Sequence, residues 1–129
     1  MSRFLLDSDV IIWHLRGRIE ITEMLKDLQK FGVPGCSALS VLEVQVGLKK
    51  GEEENTDRFL RSLKIFDVNR EIANQAAQLI RENRIKGITL DLPDAVIAGT
   101  CIFHDLILVT HNKKHYPIPE LKFHPLPLR

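Results

Sequence analysis

Three acidic residues lie where the sequence predicts that a helix begins or has just begun. Asp7 follows the apolar run at residues 4–6, Glu43 lies in Ser40-Val-Leu-Glu43, and Asp94 lies in Leu92-Pro-Asp94. In an open α/β fold, ligands bind at the edge where the carboxyl ends of parallel strands meet, so we expect the three carboxylates to converge there. Carboxylate oxygens are ligands that Mg²⁺ and Mn²⁺ prefer, and such ions activate water and hold phosphate oxygens. The pattern therefore favours metal-assisted phosphodiester hydrolysis.

Each acid also has a purely structural interpretation. Ser40-x-x-Glu43 matches a capping box, Asp91-x-x-Asp94 is a similar helix start, and Asp7 could cap the helix after the first strand. For any one acid alone the cap is the better explanation, because helix N-termini favour carboxylates. Taken together, three uncompensated carboxylates within a few ångströms would repel and raise one another's pKa, which a divalent cation relieves.

The elements that must position these acids alternate between short apolar strands and helices. Strands are predicted at residues 4–6, 33–36, 64–68, 106–109 and 122–124, and helices at 10–15, 19–31, 40–48, 53–63, 70–80 and 94–103. Gly32 ends the second helix, and Asn69 caps the helix at 70–80. Short apolar strands that alternate with helices predict an α/β fold, a three-layer sandwich around a mostly parallel sheet.

Composition sets the broad class of protein. The 129 residues are 44% hydrophobic and 27% charged, which is typical of one ordinary globular domain spanning 1–129. The net charge of +1 provides no global field for a polyanion, so any nucleic-acid contact must come from a local patch. No membrane-spanning run or signal peptide is recognisable, and a cytoplasmic location is expected. Cys36 and Cys101 are isolated in apolar contexts, which indicates buried free thiols.

Four segments together resemble the motifs of a known family in their order and spacing. They are Leu-Leu-Asp7-Ser-Asp-Val-Ile-Ile, Ser37-Ala-Leu-Ser40-Val-Leu-Glu43, Asp94-Ala-Val-Ile-Ala-Gly-Thr and Leu108-Val-Thr110-His-Asn112-Lys-Lys-His115-Tyr. The family is that of PIN-domain nucleases, especially the VapC-type toxins. The resemblance implies a divalent-metal endoribonuclease that uses Mg²⁺ or Mn²⁺, forms homodimers and is restrained by a small cognate antitoxin. It also implies that Asp7, Glu43 and Asp94 bind metal and position the attacking water.

The fourth family position departs from a carboxylate in this chain. The Thr-x-[Asp/Asn] motif matches Asn112, whose amide favours a hydrogen bond to water or metal-bound water over direct charged ligation. The number of metals, one or two, stays open as a result. Asp9 stands where the family often has Asn, which partly restores the lost charge. We count Ser8, Asp9, Ser40 and Thr110 as auxiliary residues.

Basic and aromatic residues near these motifs have two interpretations each. The candidates for contact with RNA phosphates are Arg16, Lys49, Lys113 and Lys114, and a solvated charged face explains them equally well. His111 and His115 have the i, i+4 spacing of a zinc pair, but without a third ligand nearby surface histidines are favoured. Trp13 is expected to pack in the core or at an interface.

Three other functions compete with the nuclease. A haloacid-dehalogenase-like phosphatase would use Asp7 as nucleophile and Asp9 as acid, but it leaves Glu43 without a role. A receiver-like signalling domain would need a central acceptor, and Asp67 has no acidic pocket around it in the sequence. A non-catalytic RNA- or protein-binding module is disfavoured by the acidic triad.

Overall fold

Four strands and six helices form the part of the chain that the computed structural model describes, residues 2–126. In chain order they are β1 (Phe4–Leu6), α1 (Ser8–Leu15), α2 (Ile19–Leu28), β2 (Gly35–Ser37), α3 (Ala38–Val46), α4 (Glu53–Arg61), β3 (Lys64–Phe66), α5 (Arg70–Ile85), α6 (Leu92–His104) and β4 (Ile107–Val109). Short 3₁₀ turns follow α2 and β4. None of the helices within residues 2–126 is long and apolar enough to cross a membrane.

All four strands run parallel, in the order β3-β2-β1-β4. Leu6 pairs with Val109 at the ends of β1 and β4, and Leu5 pairs with Gly35 of β2. The carboxyl ends of β1, β2 and β4 therefore lie at one edge of the sheet. This is the edge where we expected the acids to meet.

Helices cover the sheet on both faces, because successive side chains of each strand point to opposite sides. Leu5 packs with α5 and α6, whereas Phe4 and Leu6 pack with α1 to α4. Leu5 and Leu6 are fully buried, as expected for a strand enclosed by two helical layers. The predicted three-layer α/β sandwich is confirmed.

Close packing of α5 on α6 sets the position of the α6 N-terminus. A Cβ added at Gly99 would lie 3.2 Å from the backbone nitrogen of Ala76, tighter than ordinary contact. Glycine at this position therefore lets the two helices approach. Pro93 lies in the first turn of α6, where its missing N–H costs no helical hydrogen bond.

The start of α3 corrects the predicted capping box. The N-cap is Ser37, whose Oγ accepts a hydrogen bond from the backbone N–H of Leu39 at 3.0 Å. Ser40 is fully buried inside the helix, and its Oγ has no hydrogen-bond partner within residues 2–126. The chain enters α3 directly from β2, so the last strand residue is also the cap. Glu43 consequently lies in the second turn and is no capping residue.

Some other boundaries differ from the predictions. The helix predicted at 19–31 ends at Leu28 and continues as a 3₁₀ turn. The strand predicted at 33–36 occupies Gly35–Ser37, and the strand predicted at 122–124 is only one bridge, between Leu108 and Phe123. Cys36 and Cys101 are buried free thiols, as predicted.

Candidate active site

Four carboxylates from three helices line one cavity of ≈160 Å³ at the carboxyl edge of the sheet. The residues around it are Asp7, Ser8, Asp9, Glu43, Pro93, Asp94, Ile97, Asn112 and His115. Asp7 caps α1, Glu43 lies in α3 and Asp94 lies in the first turn of α6. The fold thus brings together the three acids predicted to bind metal and the auxiliary Asp9. Their individual roles stay predictions.

Asp7 is held by groups from both ends of the chain. Its Oδ1 accepts from the backbone N–H of Ser8 at 2.9 Å. Its Oδ2 accepts from the hydroxyl of Thr110 at 2.8 Å and from the hydroxyl of Tyr116 at 2.7 Å. The Asp7 side chain is therefore more than a cap, because residues after β4 fix its orientation.

Asp9 forms a second anchored carboxylate. Its Oδ1 accepts from the Val10 N–H at 2.7 Å. Its Oδ2 accepts from the backbone N–H of His111 at 2.9 Å and from the side-chain amide of Asn112 at 3.2 Å. Burial, followed by the negative charge of Asp7, raises the pKa of Asp9 to about 6, against the lowering effect of the backbone hydrogen bonds.

Glu43 and Asp94 carry the electrostatic signature of an uncompensated acidic cluster. Burial is the largest cause that raises the pKa of each, and the charge of Asp7 is the next. A hydrogen bond from the Ser8 side chain opposes the rise at Glu43. At Asp94 the charge of His115 opposes it, and so, to a smaller extent, does a hydrogen bond from the Tyr116 side chain. The helix start at Asp91 makes no side-chain capping hydrogen bond, so the cap interpretation has no support there.

The donor set suits a hard divalent cation. Carboxylates and one amide line the cavity, and Mg²⁺ and Mn²⁺ prefer such oxygen ligands. Within residues 2–126, no three carboxylate, imidazole or thiol groups are already arranged so that they could hold an ion. Mg²⁺ keeps several waters and needs only one or two direct carboxylates. The carboxylates that line the cavity can therefore supply the protein ligands of a Mg²⁺ ion.

Tyr116 is a residue of the site to which the sequence assigned no role. Its side chain is buried, and burial together with the charge of Asp7 raises the pKa of its hydroxyl far above the usual range. The signal in the sequence was weak, because a lone tyrosine in a loop carries no spacing that predicts its contact. His115 is exposed, as expected of a surface histidine, yet it also lines the cavity.

The remaining candidates do not line the cavity. The basic residues proposed for RNA contact (Arg16, Lys49, Lys113 and Lys114) are exposed, and none of them lines it. Thr110 acts through Asp7, and Ser40 is buried in α3. Trp13 is half-buried between the guanidinium of Arg18, at 3.8 Å, and the ring of His111, at 4.1 Å. Trp13 therefore packs within the protomer.

Comparisons with known proteins agree with this geometry. The model of the PIN domain family matches residues 4–121. Ribonuclease VapC10 of Mycobacterium tuberculosis is 34% identical over 116 residues, which are 90% of this chain and 87% of that protein. Ribonuclease VapC19 of the same species is 29% identical over 120 residues, 92% of this chain and 96% of that protein.

Solved structures show the same architecture. A toxin–antitoxin complex from Klebsiella pneumoniae contains a chain with 31% identity and a TM-score of 0.78, covering 91% of this chain and 93% of that one. VapBC2 from Rickettsia felis, bound to a DNA fragment from its promoter, has 26% identity and a TM-score of 0.86, covering 98% of this chain and 100% of that one. The chain therefore belongs to the PIN-domain family, and within it to the VapC ribonuclease type.

Proposed function

We propose that this protein is an endoribonuclease that depends on Mg²⁺ or Mn²⁺ and acts as the toxin of a toxin–antitoxin pair. The observation that carries the proposal is the meeting of Asp7, Asp9, Glu43 and Asp94 around one cavity. The VapC ribonucleases it resembles support the substrate class. A haloacid-dehalogenase-like phosphatase and a receiver domain lose their support, because the family match covers most of the chain.

Asp7, Glu43 and Asp94 are the residues that would hold the metal. Once bound, a divalent ion supplies a more acidic water and a positive charge for a phosphate oxygen. The protein contributes position: Thr110 and Tyr116 orient Asp7, while α3 and α6 bring Glu43 and Asp94 to it. Asn112 orients Asp9 through its amide.

Charge explains why the carboxylates alone cannot accept RNA. Burial is the largest cause of the raised pKa values of Glu43 and Asp94, and repulsion by the negative charge of Asp7 is the next. A phosphodiester adds another negative charge, so the metal-free cavity repels the substrate. A cation held by Asp7, Glu43 and Asp94 would offset this charge and so allow a phosphate to approach the cavity.

The proposed partners are RNA, a second copy of the chain and a small antitoxin. A protein partner is supported by apolar side chains that stay exposed on α3: Val46 is 78% exposed and Leu42 is 58% exposed. The similar structures from Klebsiella and Rickettsia are toxin–antitoxin complexes, which supports an antitoxin as that partner. We further propose that residues 1–129 form a single domain and act in the cytoplasm.

The direct experiment is RNA cleavage by the purified protein freed from any antitoxin. We expect cleavage with Mg²⁺ or Mn²⁺, and none when EDTA is in excess. Cleavage that persists in EDTA would contradict the metal mechanism. Hydrolysis of a small phosphomonoester without cleavage of RNA would contradict the nuclease itself.

A further inference from the structure

The carboxylate of Asp7 has almost all of its acceptor positions filled by protein donors. A carboxylate offers about four lone-pair sites, two on each oxygen. The hydroxyls of Thr110 and Tyr116 occupy both sites of Oδ2, at 2.8 and 2.7 Å. The Ser8 N–H occupies one site of Oδ1, at 2.9 Å. Among the donors that residues 2–126 provide, none fills the last acceptor position, on Oδ1, which is left for the cavity that Asp7 lines.

The Tyr116 hydroxyl is held where it is by the backbone and by the core. The N–H of Tyr116 donates to the Lys113 carbonyl at 3.0 Å, and its carbonyl accepts from the Ile118 N–H at 2.8 Å. The ring is only 4% exposed and packs in the same core cluster as Leu108. Backbone hydrogen bonds and core packing thus hold the hydroxyl at Asp7, and such fixed donors preorganise a carboxylate.

We propose that Tyr116, together with Thr110, limits Asp7 to a single-oxygen contact with a cation and thereby makes the site select Mg²⁺ and Mn²⁺ over Ca²⁺. The inference rests on the proposed function, because it concerns the same metal site. Tyr116 is a positioning and specificity-determining residue here, since its hydroxyl donates to Asp7 and also lies beside Asp94.

Coordination chemistry provides the reason for the selectivity. Ca²⁺ takes six to eight oxygen ligands and gains from carboxylates that bind through both oxygens, whereas Mg²⁺ takes an octahedral set with several waters. A carboxylate whose Oδ2 is fully occupied can supply only one oxygen. Besides Asp7, the oxygen-bearing side chains that line the cavity are those of Ser8, Asp9, Glu43, Asp94 and Asn112. Asp9 Oδ2 already accepts two hydrogen bonds, so two of the four carboxylates are restricted in how they can serve a calcium shell.

The test is isothermal titration calorimetry of Tyr116→Phe with Mn²⁺ alone and with Ca²⁺ alone. Phenylalanine keeps the ring in the core and removes only the hydroxyl, so one site on Oδ2 becomes available to a cation. Loss of a group that supports a metal ligand costs about 10–100-fold in affinity, and we expect Mn²⁺ binding to weaken by about tenfold. Calcium binding should weaken less or strengthen, so the preference for Mn²⁺ over Ca²⁺ should fall at least roughly threefold.

Thr110 provides the matched variants. Thr110→Val removes the other donor to Asp7 Oδ2, so it should also lower the preference for Mn²⁺ over Ca²⁺. Thr110→Ser keeps a hydroxyl and should preserve that preference. If Tyr116→Phe does not fold, as judged by thermal melting, Thr110→Val against Thr110→Ser decides the question. A ratio of the two affinities that stays unchanged in the folded variants overturns the inference and leaves the proposed nuclease intact. A wild-type protein that binds no Mn²⁺ refutes both.

Discussion

The side-chain amide of Asn112 donates a hydrogen bond of 3.2 Å to Asp9 Oδ2, although the two residues are 103 positions apart. The backbone N–H of His111 donates to the same oxygen at 2.9 Å. Asp9 and Asn112 therefore act as one unit, in which a neutral amide supports a carboxylate. This contact explains why residue 112 is an amide, because a carboxylate at this position would repel the negative charge of Asp9.

Asn112→Asp tests that relationship. The change replaces a donor with a second carboxylate beside Asp9, so we expect the metal-free protein to lose about 1–3 kcal/mol of unfolding free energy at neutral pH. Mn²⁺ should recover more stability in this variant than in the wild type, because it neutralises the added charge. Thermal melts with and without Mn²⁺ measure both effects. Asn112→Ala is the control, since it removes the hydrogen bond without adding charge, and equal melting temperatures for the two variants would contradict the explanation.

Asp94→Asn separates a metal ligand from a helix cap. Asparagine keeps the size and capping ability of aspartate but not its charge, so RNA cleavage should fall by more than about 100-fold while the fold persists. Because one source of repulsion disappears, the metal-free melting temperature should stay equal or rise. Asp91→Asn is the matched control at the same helix start, outside the cavity, and should cleave normally. Wild-type turnover by Asp94→Asn would remove Asp94 from the site.

The stability of the metal-free protein should depend on pH through Asp9. Its pKa of about 6 in the folded protein exceeds the ordinary aspartate value of 3.8, so between these values the folded state holds a proton that the unfolded state has lost. Protonation of Asp9 therefore adds to the free energy of unfolding. This contribution is fully present below about pH 4 and is lost as the pH rises through 6. After allowance for solvent screening we expect an effect of up to about 2 kcal/mol. Urea titrations at several pH values measure it.

Two further acids contribute to the same pH dependence, because the pKa values of Glu43 and Asp94 are also raised. Asp9→Asn should therefore reduce the dependence of the unfolding free energy on pH between pH 4 and 6 without removing it completely. Saturating Mn²⁺ should reverse the trend, since metal binding requires deprotonated carboxylates. A profile in Asp9→Asn identical to that of the wild type would show that Asp9 keeps an ordinary pKa.

Self-association is expected from the apolar side chains that remain at the surface. Ile85 is 88% exposed and Leu92 is 71% exposed, and such side chains are often covered by a second copy. Light scattering at micromolar concentration should give about twice the 14.8 kDa mass of one chain. A monomer mass over the whole micromolar range would contradict the homodimer. Trp13 is a poor reporter for this contact, because it packs against Arg18 and His111 within the protomer.

The sequence by itself determined the order of strands and helices as far as β4, and it singled out the acids of the cavity. Both depend on local properties: apolar periodicity marks the elements, the change from an apolar run to Asp7 marks the start of α1, and Pro93 marks the first turn of α6. The convergence of the acids also followed from the sequence, because parallel strands share their carboxyl edge. The family resemblance added the expected chemistry, which the matching relatives confirm at the level of the family.

Only the tertiary structure decided which atoms meet. The start of α3 at Ser37 instead of Ser40 depends on where β2 stops pairing in the sheet, which no local motif reports. The contacts of Tyr116 with Asp7 and of Asn112 with Asp9 span more than 100 residues, and they depend on the register of β4 beside β1. Hydrogen bonds require donor and acceptor to lie within about 3 Å, and that precision comes from packing of the whole core, which residue type and spacing alone do not specify.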